Sequence, residues 1–191
     1  MRGWIVSALL LVLTAPLALA QAATWAPDPA HSEVDFSILH MSLSNVHGHF
    51  GAVSGIMLFD PSDVTKSTVS VTIDVSGVDT GESSRDSVLK SSTFFDVDKY
   101  PKATFVSTSV QRTASGLTVT GNLTLRGVTK PVTLTVEGPN GPVTGTDQKL
   151  HAGFSAEVSF NRRDFGIATA FPSGVVGDQV KLSIDLEIIK Q

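Results

Sequence analysis

The chain has no cysteine, little tryptophan or tyrosine and no excess of positive charge. The lack of thiols excludes a disulfide framework, a cysteine-based zinc or iron–sulfur site and a cysteine nucleophile. The net charge of −4 argues against a nucleic-acid binder, because such proteins need a basic face to neutralise phosphates. A hydrophobic content of 41% excludes a disordered chain. The sequence therefore predicts a folded protein that is held together by packing alone.

Valine, serine and threonine supply 64 of the 191 residues. Branched side chains restrict χ1 and fit the pleated surface of a sheet, so this excess favours strands.

The first twenty residues predict a secretory signal peptide. Arg2 provides a positive charge, Trp4–Leu13 form an apolar run, and Ala18–Ala20 are a small-x-small cleavage site. An uncleaved anchor helix is the less favoured alternative, because the run is short for a bilayer span. Cleavage there, or as late as residue 23, leaves one domain over residues 24–191. The product is expected to be periplasmic in a Gram-negative source, or secreted.

Alternating apolar and polar side chains predict eight or nine strands. In the last segment, Val180, Leu182, Ile184, Leu186 and Ile188 alternate with polar residues, which gives one apolar face and one wet face. The clear segments are residues 33–38, 68–75, 117–125, 132–136, 154–160 and 180–188, and weaker ones are 46–50, 55–59 and 103–110.

One segment breaks the alternation and predicts a short helix. Ser83–Lys90 has Asp86 near its start and Lys90 at its end, and Ser83 or Ser84 is the expected N-cap. Residues 60–63 and 138–142 are rich in proline, glycine, aspartate and asparagine and are predicted to be turns or loops.

These strands favour an all-β fold in which an antiparallel sheet closes into a barrel or folds into a sandwich. The wet faces carry serine, threonine and charges, and only Trp25 and Tyr100 remain as aromatics of the membrane-girdle type. The apolar faces are therefore expected to point inward. A barrel of about eight strands can fill its interior or hold one small ligand, and the many valines favour a ligand cavity.

Several stretches of the chain resemble the YceI-like family of lipid- and polyisoprenoid-binding proteins. In order along the chain they are WAPDPAHSEVDF at 25–36, HMSLSNVHGHF at 40–50, LKSSTFFDVDKYPKATF at 89–105, GNLTLRGVTKPV at 121–132, NRRDFG at 161–166 and VGDQV at 176–180. The resemblance covers nearly all of the chain after the predicted signal peptide.

The resemblance implies a lipocalin-like, extended, eight-stranded antiparallel barrel with a short helix inserted around residues 83–90. Its elongated apolar cavity holds an isoprenoid chain, such as the tail of a quinone or a polyprenyl lipid. It implies a carrier, buffer or storage protein of the cell envelope rather than an enzyme, with no cofactor required. Transient membrane contact and a homodimer stay open.

An isoprenoid tail is branched hydrocarbon, so its pocket needs aliphatic and phenylalanine walls rather than polar anchors. The inward apolar residues are therefore the candidate cavity lining: Phe36, Ile38, Val46, Phe50, Val71, Ile73, Phe105, Leu117, Val119, Leu123, Phe154, Val158, Phe160, Leu182, Ile184 and Leu186. Candidates for the cavity mouth or a headgroup contact are His47, His49, Phe94, Phe95, Tyr100 and Arg162. The aromatic candidates equally fit a role in packing the helix onto the barrel.

His47 and His49 share one face of a strand, and His40 lies upstream. An envelope metal-binding protein or metalloenzyme that uses these three histidines is thus an alternative, although no further ligand stands at a motif spacing. The family often has arginine at positions 47 and 49, so histidine there makes the local charge dependent on pH. A second alternative is a β-sandwich interaction module without a cavity.

Arg162, Arg163 and Asp164 can clamp a phosphate or pair with each other, and a strand-end ion pair above a bend at Gly166 is the favoured interpretation. The sequence lacks a Gly-x-Ser-x-Gly elbow and a phosphate-cradling glycine loop. No catalytic residue and no metal site are predicted.

Overall fold

The computed structural model describes residues 22–191 and contains ten strands and one α-helix. The predicted signal peptide lies in residues 1–21, outside the described residues. The strands are β1 (Ala23–Pro27), β2 (Glu33–His40), β3 (Ser44–His49), β4 (Val53–Phe59), β5 (Thr68–Asp74), β6 (Lys102–Arg112), β7 (Leu117–Leu125), β8 (Val128–Thr144), β9 (Leu150–Asn161) and β10 (Val176–Lys190). The helix α1 spans Ser83–Lys90, and 3-10 turns cover Val64–Lys66 and Arg162–Phe165.

The ten strands form a closed antiparallel barrel with eight strand positions. β1 and β2 lie end to end along the long β10, with Pro27 opposite Ile188 and Glu33 opposite Asp185. On their other side, β4 pairs with β1 and β3 pairs with β2. β1 with β2 therefore occupies one position, β4 with β3 occupies the next, and β5 to β10 supply the other six. The predicted barrel is confirmed, and the β-sandwich alternative is wrong because the sheet closes on itself.

The side chains alternate as predicted, with apolar residues inside the barrel. In β7, Leu117, Val119 and Leu123 are buried. The hydroxyls of Thr120 and Thr133 lie on the wet face and meet across β7 and β8 at 3.0 Å. Val34 and Ile188 are almost fully buried where β1 and β2 meet β10, and Val53 of β4 is buried to the same extent. The hydrophobic core is thus the barrel lumen.

Two predictions of local structure are wrong. Residues 138–142 are not a loop, because β8 runs through them; the ladder to β9 is irregular between Glu137 and Asn140 and between Asn140 and Val143. Such irregularities accommodate proline, which cannot donate to a ladder. The helix is not capped by serine; instead the carboxylate of Glu82 accepts the N–H of Ser84. A carboxylate also suits the positive end of the helix dipole.

The two ends of the barrel differ. The helix end carries α1, the β2–β3 turn and residues 162–175, whereas the terminal end carries the start of β1, the end of β10 and the 3-10 turn Val64–Lys66. Within residues 22–191, no helix has the length and apolar character needed to cross a bilayer.

Candidate functional site

Three apolar cavities lie in series inside the barrel. The terminal cavity, lined by Phe59, Val64 and Leu117 among others, has a volume of about 100 Å³. The middle cavity, between Val75, Ala103 and Leu125, has about 20 Å³. The helix-end cavity, beneath Leu89, Phe94 and Phe95, has about 60 Å³. Their order along the barrel follows from the strand positions of their walls.

Shared side chains separate the cavities. Val34 and Ile73 line both the terminal and the middle cavity, and Phe50 and Phe160 line both the middle and the helix-end cavity. These four side chains therefore form the partitions between neighbouring cavities. Side chains change rotamer at far lower cost than a packed sheet deforms, so the partitions are the adjustable part of the lumen.

Aromatic rings close the helix end. The ring of Phe50 lies edge-on to Phe95 at 5.5 Å between centroids and also packs on Phe36 at 5.2 Å. Phe94 packs on Phe171 of the segment that follows β9, at 5.7 Å. Phe94 and Phe95 come from the segment after α1, so they both line the cavity and join the helix segment to the barrel. Phe94 and Phe95 therefore lie both on the cavity wall and between the helix segment and the barrel.

Arg162 is the charged residue among the lining side chains of these three cavities, and it is only 1% exposed. Its guanidinium donates five hydrogen bonds of 2.6–3.0 Å to the carbonyl oxygens of Ile167, Ala168, Phe171, Val176 and Gly177. Burial lowers the pKa of Arg162, and the neighbouring Arg163 lowers it further. A guanidinium has five N–H donors, so none is left for a ligand headgroup. Arg162 instead fixes the segment that covers the helix end.

The predicted ion pair forms with a different partner. Arg162 and Arg163 both contact Oδ1 of Asp178 on β10, at 3.0 and 2.7 Å, and Asp164 is not part of this pair. The hydroxyl of Ser173, followed by Arg163, holds the pKa of Asp178 below its ordinary value. The sequence could not indicate this contact because Asp178 comes fifteen residues after Arg163. Gly166 does form the predicted bend, with a left-handed φ of 69°.

Fourteen of the sixteen predicted lining residues lie on the cavity walls. They are Phe36, Ile38, Phe50, Val71, Ile73, Phe105, Leu117, Val119, Leu123, Phe154, Phe160, Leu182, Ile184 and Leu186. Val46 lies half-buried in β3, and Val158 is buried in packed core that adjoins none of the three cavities.

Sequence reasoning missed several wall residues. Met57 and Phe59 alternate in β4, but Gly55 at φ 140° interrupts the pattern before them. Val64 and Ile167 lie in a 3-10 turn and a loop, where no periodicity can indicate which side chain points inward. By contrast, the alternation that predicts the strands also marks Val34, Leu125 and Leu134 as inward-facing, and these wall residues were not among the candidates.

The predicted histidines lie outside the lumen. His47 and His49 are exposed on β3, opposite Ser37 and Asp35 of β2, and His40 pairs with Ser44 at the end of that hairpin. Within residues 22–191, these three histidines do not join a carboxylate in a group close enough to share a metal ion. Tyr100 lines none of the three cavities, and the ammonium of Lys99 lies 5.1 Å from its ring centre.

Comparisons with known proteins agree with this architecture. Protein YceI of Salmonella newport is 38% identical over 161 residues, which cover 84% of this chain and 83% of the relative. The solved structure of a Campylobacter jejuni YCEI protein is 33% identical, with a TM-score of 0.72 over 81% of this chain and 90% of that one. Burkholderia cenocepacia BcnA is 27% identical, with a TM-score of 0.72 over 84% of this chain and 98% of that one.

A polyisoprenoid binding domain from Saccharophagus degradans has the same fold, with a TM-score of 0.63 over 90% of this chain and 99% of that one, at 16% identity. The model of the YceI-like domain matches residues 25–188, nearly all of the described barrel. This chain therefore belongs to the YceI-like family.

Proposed function

We propose that the protein binds the tail of a long isoprenoid, such as a quinone or a polyprenyl lipid, inside the barrel. The observation that carries this proposal is the series of three apolar cavities along the lumen. Such a row fits a slender, linear hydrocarbon and not a compact polar molecule. A structural neighbour described as a polyisoprenoid binding domain, that of Saccharophagus degradans, has the same fold and supports the same class of ligand.

The ligand has to move the partitions aside. The largest cavity, at about 100 Å³, is smaller than the roughly 150 Å³ cavity that holds benzene in an engineered protein core. Long-chain binding therefore needs Phe50, Phe160 and their counterparts Val34 and Ile73 to change rotamer. A flexible chain can thread such a channel stepwise, whereas a rigid ring system of equal volume cannot.

The energetics favour a carrier or buffer over a trap. Burial of each methylene group is worth about 0.8 kcal/mol relative to water. An isoprenoid tail normally lies in a membrane, already out of water, so its transfer into an apolar lumen is close to neutral. The protein would then exchange lipid readily between membranes of the cell envelope, with no chemical step and no cofactor.

Lipid analysis of the exported protein tests the proposal. We expect native mass spectrometry of material purified from the host envelope to show one isoprenoid lipid per barrel. Refolded, delipidated protein should bind a fluorescent polyprenyl probe with one-to-one stoichiometry. The absence of both bound isoprenoid and probe binding would overturn the proposal. Retention of fatty acids alone would replace the isoprenoid with another lipid class.

The same preparation tests export. We expect the mature protein in the periplasmic fraction, with its N-terminus at residue 21 or at most three residues later. Recovery of uncleaved chain in the membrane fraction would contradict this part of the proposal.

A further inference from the structure

A cluster of two histidines and three carboxylates lies on the outer surface of the barrel. Asp28 and His31 belong to the turn between β1 and β2, Glu187 to β10, and Asp147 and His151 to the β8–β9 turn and β9. We call these five residues the outer His–carboxylate cluster. They come from three separate parts of the chain and contribute nothing to the cavity walls.

Three members of the cluster already stand at the spacing of metal ligands. One ligand atom each from Asp28, His31 and Glu187 lies within 4.8 Å of the other two. The Nδ1 atom of His31 is 2.7 Å from Oδ2 of Asp28. Ligands around a tetrahedral zinc ion with bonds of about 2.0–2.2 Å stand slightly more than 3 Å apart, so small side-chain rotations suffice to enclose an ion.

Backbone contacts hold these ligands in place. Asp28 donates its N–H to the carbonyl of Glu187 at 2.8 Å, and Oδ1 of Asp28 accepts the N–H of Ala30 at 2.9 Å. The hydroxyl of Ser32 donates to the same carbonyl at 3.1 Å and accepts the N–H of Glu187 at 3.3 Å. The turn is thereby fixed to β10, and Oδ2 is the carboxylate oxygen of Asp28 that faces His31.

The imidazole of His151 holds the carboxylate of Glu187 in position. Its Nδ1 lies 2.6 Å from Oε1 of Glu187, and its Nε2 lies 2.9 Å from Oδ1 of Asp147. Its side chain is only 15% exposed, whereas that of His31 is 64% exposed. Carboxylate–histidine contacts of this kind commonly fix metal ligands in the second coordination sphere. His31 is then the outermost ligand, through which an ion can enter from solvent.

The charge of the cluster also favours a cation. Its three carboxylates carry a charge of −3, and protonation of both histidines still leaves −1. A divalent cation would therefore neutralise the negative charge that remains on the cluster when both histidines are protonated. Imidazole nitrogen in the ligand set favours zinc and related transition metals over calcium and magnesium, which prefer oxygen alone.

We infer that Asp28, His31 and Glu187 form a site for a divalent transition-metal ion such as Zn²⁺, with His151 and Asp147 as positioning residues. Three protein ligands leave the fourth tetrahedral position to water. The site is independent of the lumen, so it stands whether or not the barrel binds an isoprenoid.

Calorimetric titration of the metal-stripped mature protein with ZnCl₂ at pH 8 tests the inference. We expect one ion per chain, with affinity reduced at least tenfold in His31→Ala and about tenfold to hundredfold in His151→Ala. The matched control is the double variant His47→Ala, His49→Ala, which removes two exposed histidines elsewhere and should bind like the parent. Co²⁺ substitution should give the visible absorption of a tetrahedral site, and His31→Ala should abolish it.

Three outcomes would overturn the inference: no stoichiometric binding by the parent, binding that His31→Ala leaves unchanged, or loss of binding in the control variant. Loss of binding in the control variant would show that the ion binds at His47 or His49 on β3. His31 is 64% exposed, and among residues 22–191 its side chain hydrogen-bonds to Asp28 alone, so His31→Ala is expected to fold. Thermal unfolding of the metal-free variants checks that point.

Discussion

Arg162 shows at the scale of one residue how this barrel keeps a charge in its interior. Its five donors all meet backbone carbonyls, and Asp178 supplies the counter-charge at 3.0 Å. Three of these carbonyls belong to the segment between the 3-10 turn Arg162–Phe165 and β10, and the other two belong to the start of β10, so the guanidinium ties the segment to that strand. The structural role of Arg162, which the sequence favoured over a headgroup contact, therefore rests on backbone carbonyls and on Asp178.

Arg162→Lys should destabilise the fold by about 3 kcal/mol or more, because three donors on one ammonium cannot satisfy five carbonyls in the same geometry. Urea unfolding followed by tryptophan fluorescence measures the loss. Arg163→Lys is the matched control, since Arg163 is 34% exposed and its partners can turn to water. Equal losses in the two variants would contradict the role assigned to Arg162.

Because of Asp178, the free energy of unfolding should decrease as the pH is lowered into the acidic range. Its hydrogen bonds from Ser173 and Arg163 depress its pKa below the ordinary value of 3.8 in the folded state. The stabilisation is therefore complete above pH 3.8 and is lost as the pH falls through the depressed pKa. We expect Asp178→Asn to be less stable than the parent at neutral pH and to lose less stability on acidification. Parallel stability curves for the two proteins between pH 7 and pH 2 would refute this.

At the scale of the elements, the period of two predicted most strands, and the resemblance to the YceI-like family favoured a closed barrel over a sandwich. The period-two pattern failed to predict strands where apolar and polar residues do not alternate along the chain. β1 is only five residues long, Ala-Thr-Trp-Ala-Pro, so it is too short to show a clear alternation. β8 continues through a proline- and glycine-rich stretch because its irregular ladder to β9 tolerates the missing donors. A contact between residues far apart in the chain, such as that of Asp178 with Arg162 and Arg163, produces no local sequence pattern.

The segment after α1 should control access to the helix-end cavity. Phe95→Ala removes a buried ring that contacts Phe50, so we expect a loss of about 3–5 kcal/mol in stability. The same change enlarges the helix-end cavity and should shorten the residence time of a bound polyprenyl probe in stopped-flow exchange. Val88→Ala on the exposed face of α1 is the control and should change neither quantity. An unchanged residence time in Phe95→Ala would mean that the probe leaves by the terminal end.

At the scale of the whole molecule, the predicted lumen is present but is divided, and the division could not be predicted. Alternation shows which residues point inward, and fourteen of the sixteen chosen ones do line cavities. It does not show how closely opposite walls approach, since that depends on barrel diameter and on the rotamer of each ring. Phe50 and Phe160 illustrate this: both were predicted as lining, yet they act as partitions between two cavities.

The series of cavities predicts how affinity depends on the length of the ligand. Polyprenyl probes of increasing length should bind more tightly until the chain spans all three cavities, and longer chains should gain nothing further. Val71→Phe fills part of the terminal cavity and should weaken the longest probes at least tenfold while sparing the shortest ones. A tenfold loss is about 1.4 kcal/mol, which corresponds to roughly two displaced methylene groups.

The control for this variant is Val106→Phe. Val106 lies on β6 opposite Ser70, the neighbour of Val71, and it is 48% exposed on the outer face. The same side chain is thus added within the same pair of strands, once inside and once outside the barrel. Fluorescence titration with the probe series should show the length-dependent loss in Val71→Phe alone. If both variants lose affinity equally for every chain length, the ligand does not occupy the lumen, because only a chain that lies inside can distinguish the two faces of β5 and β6.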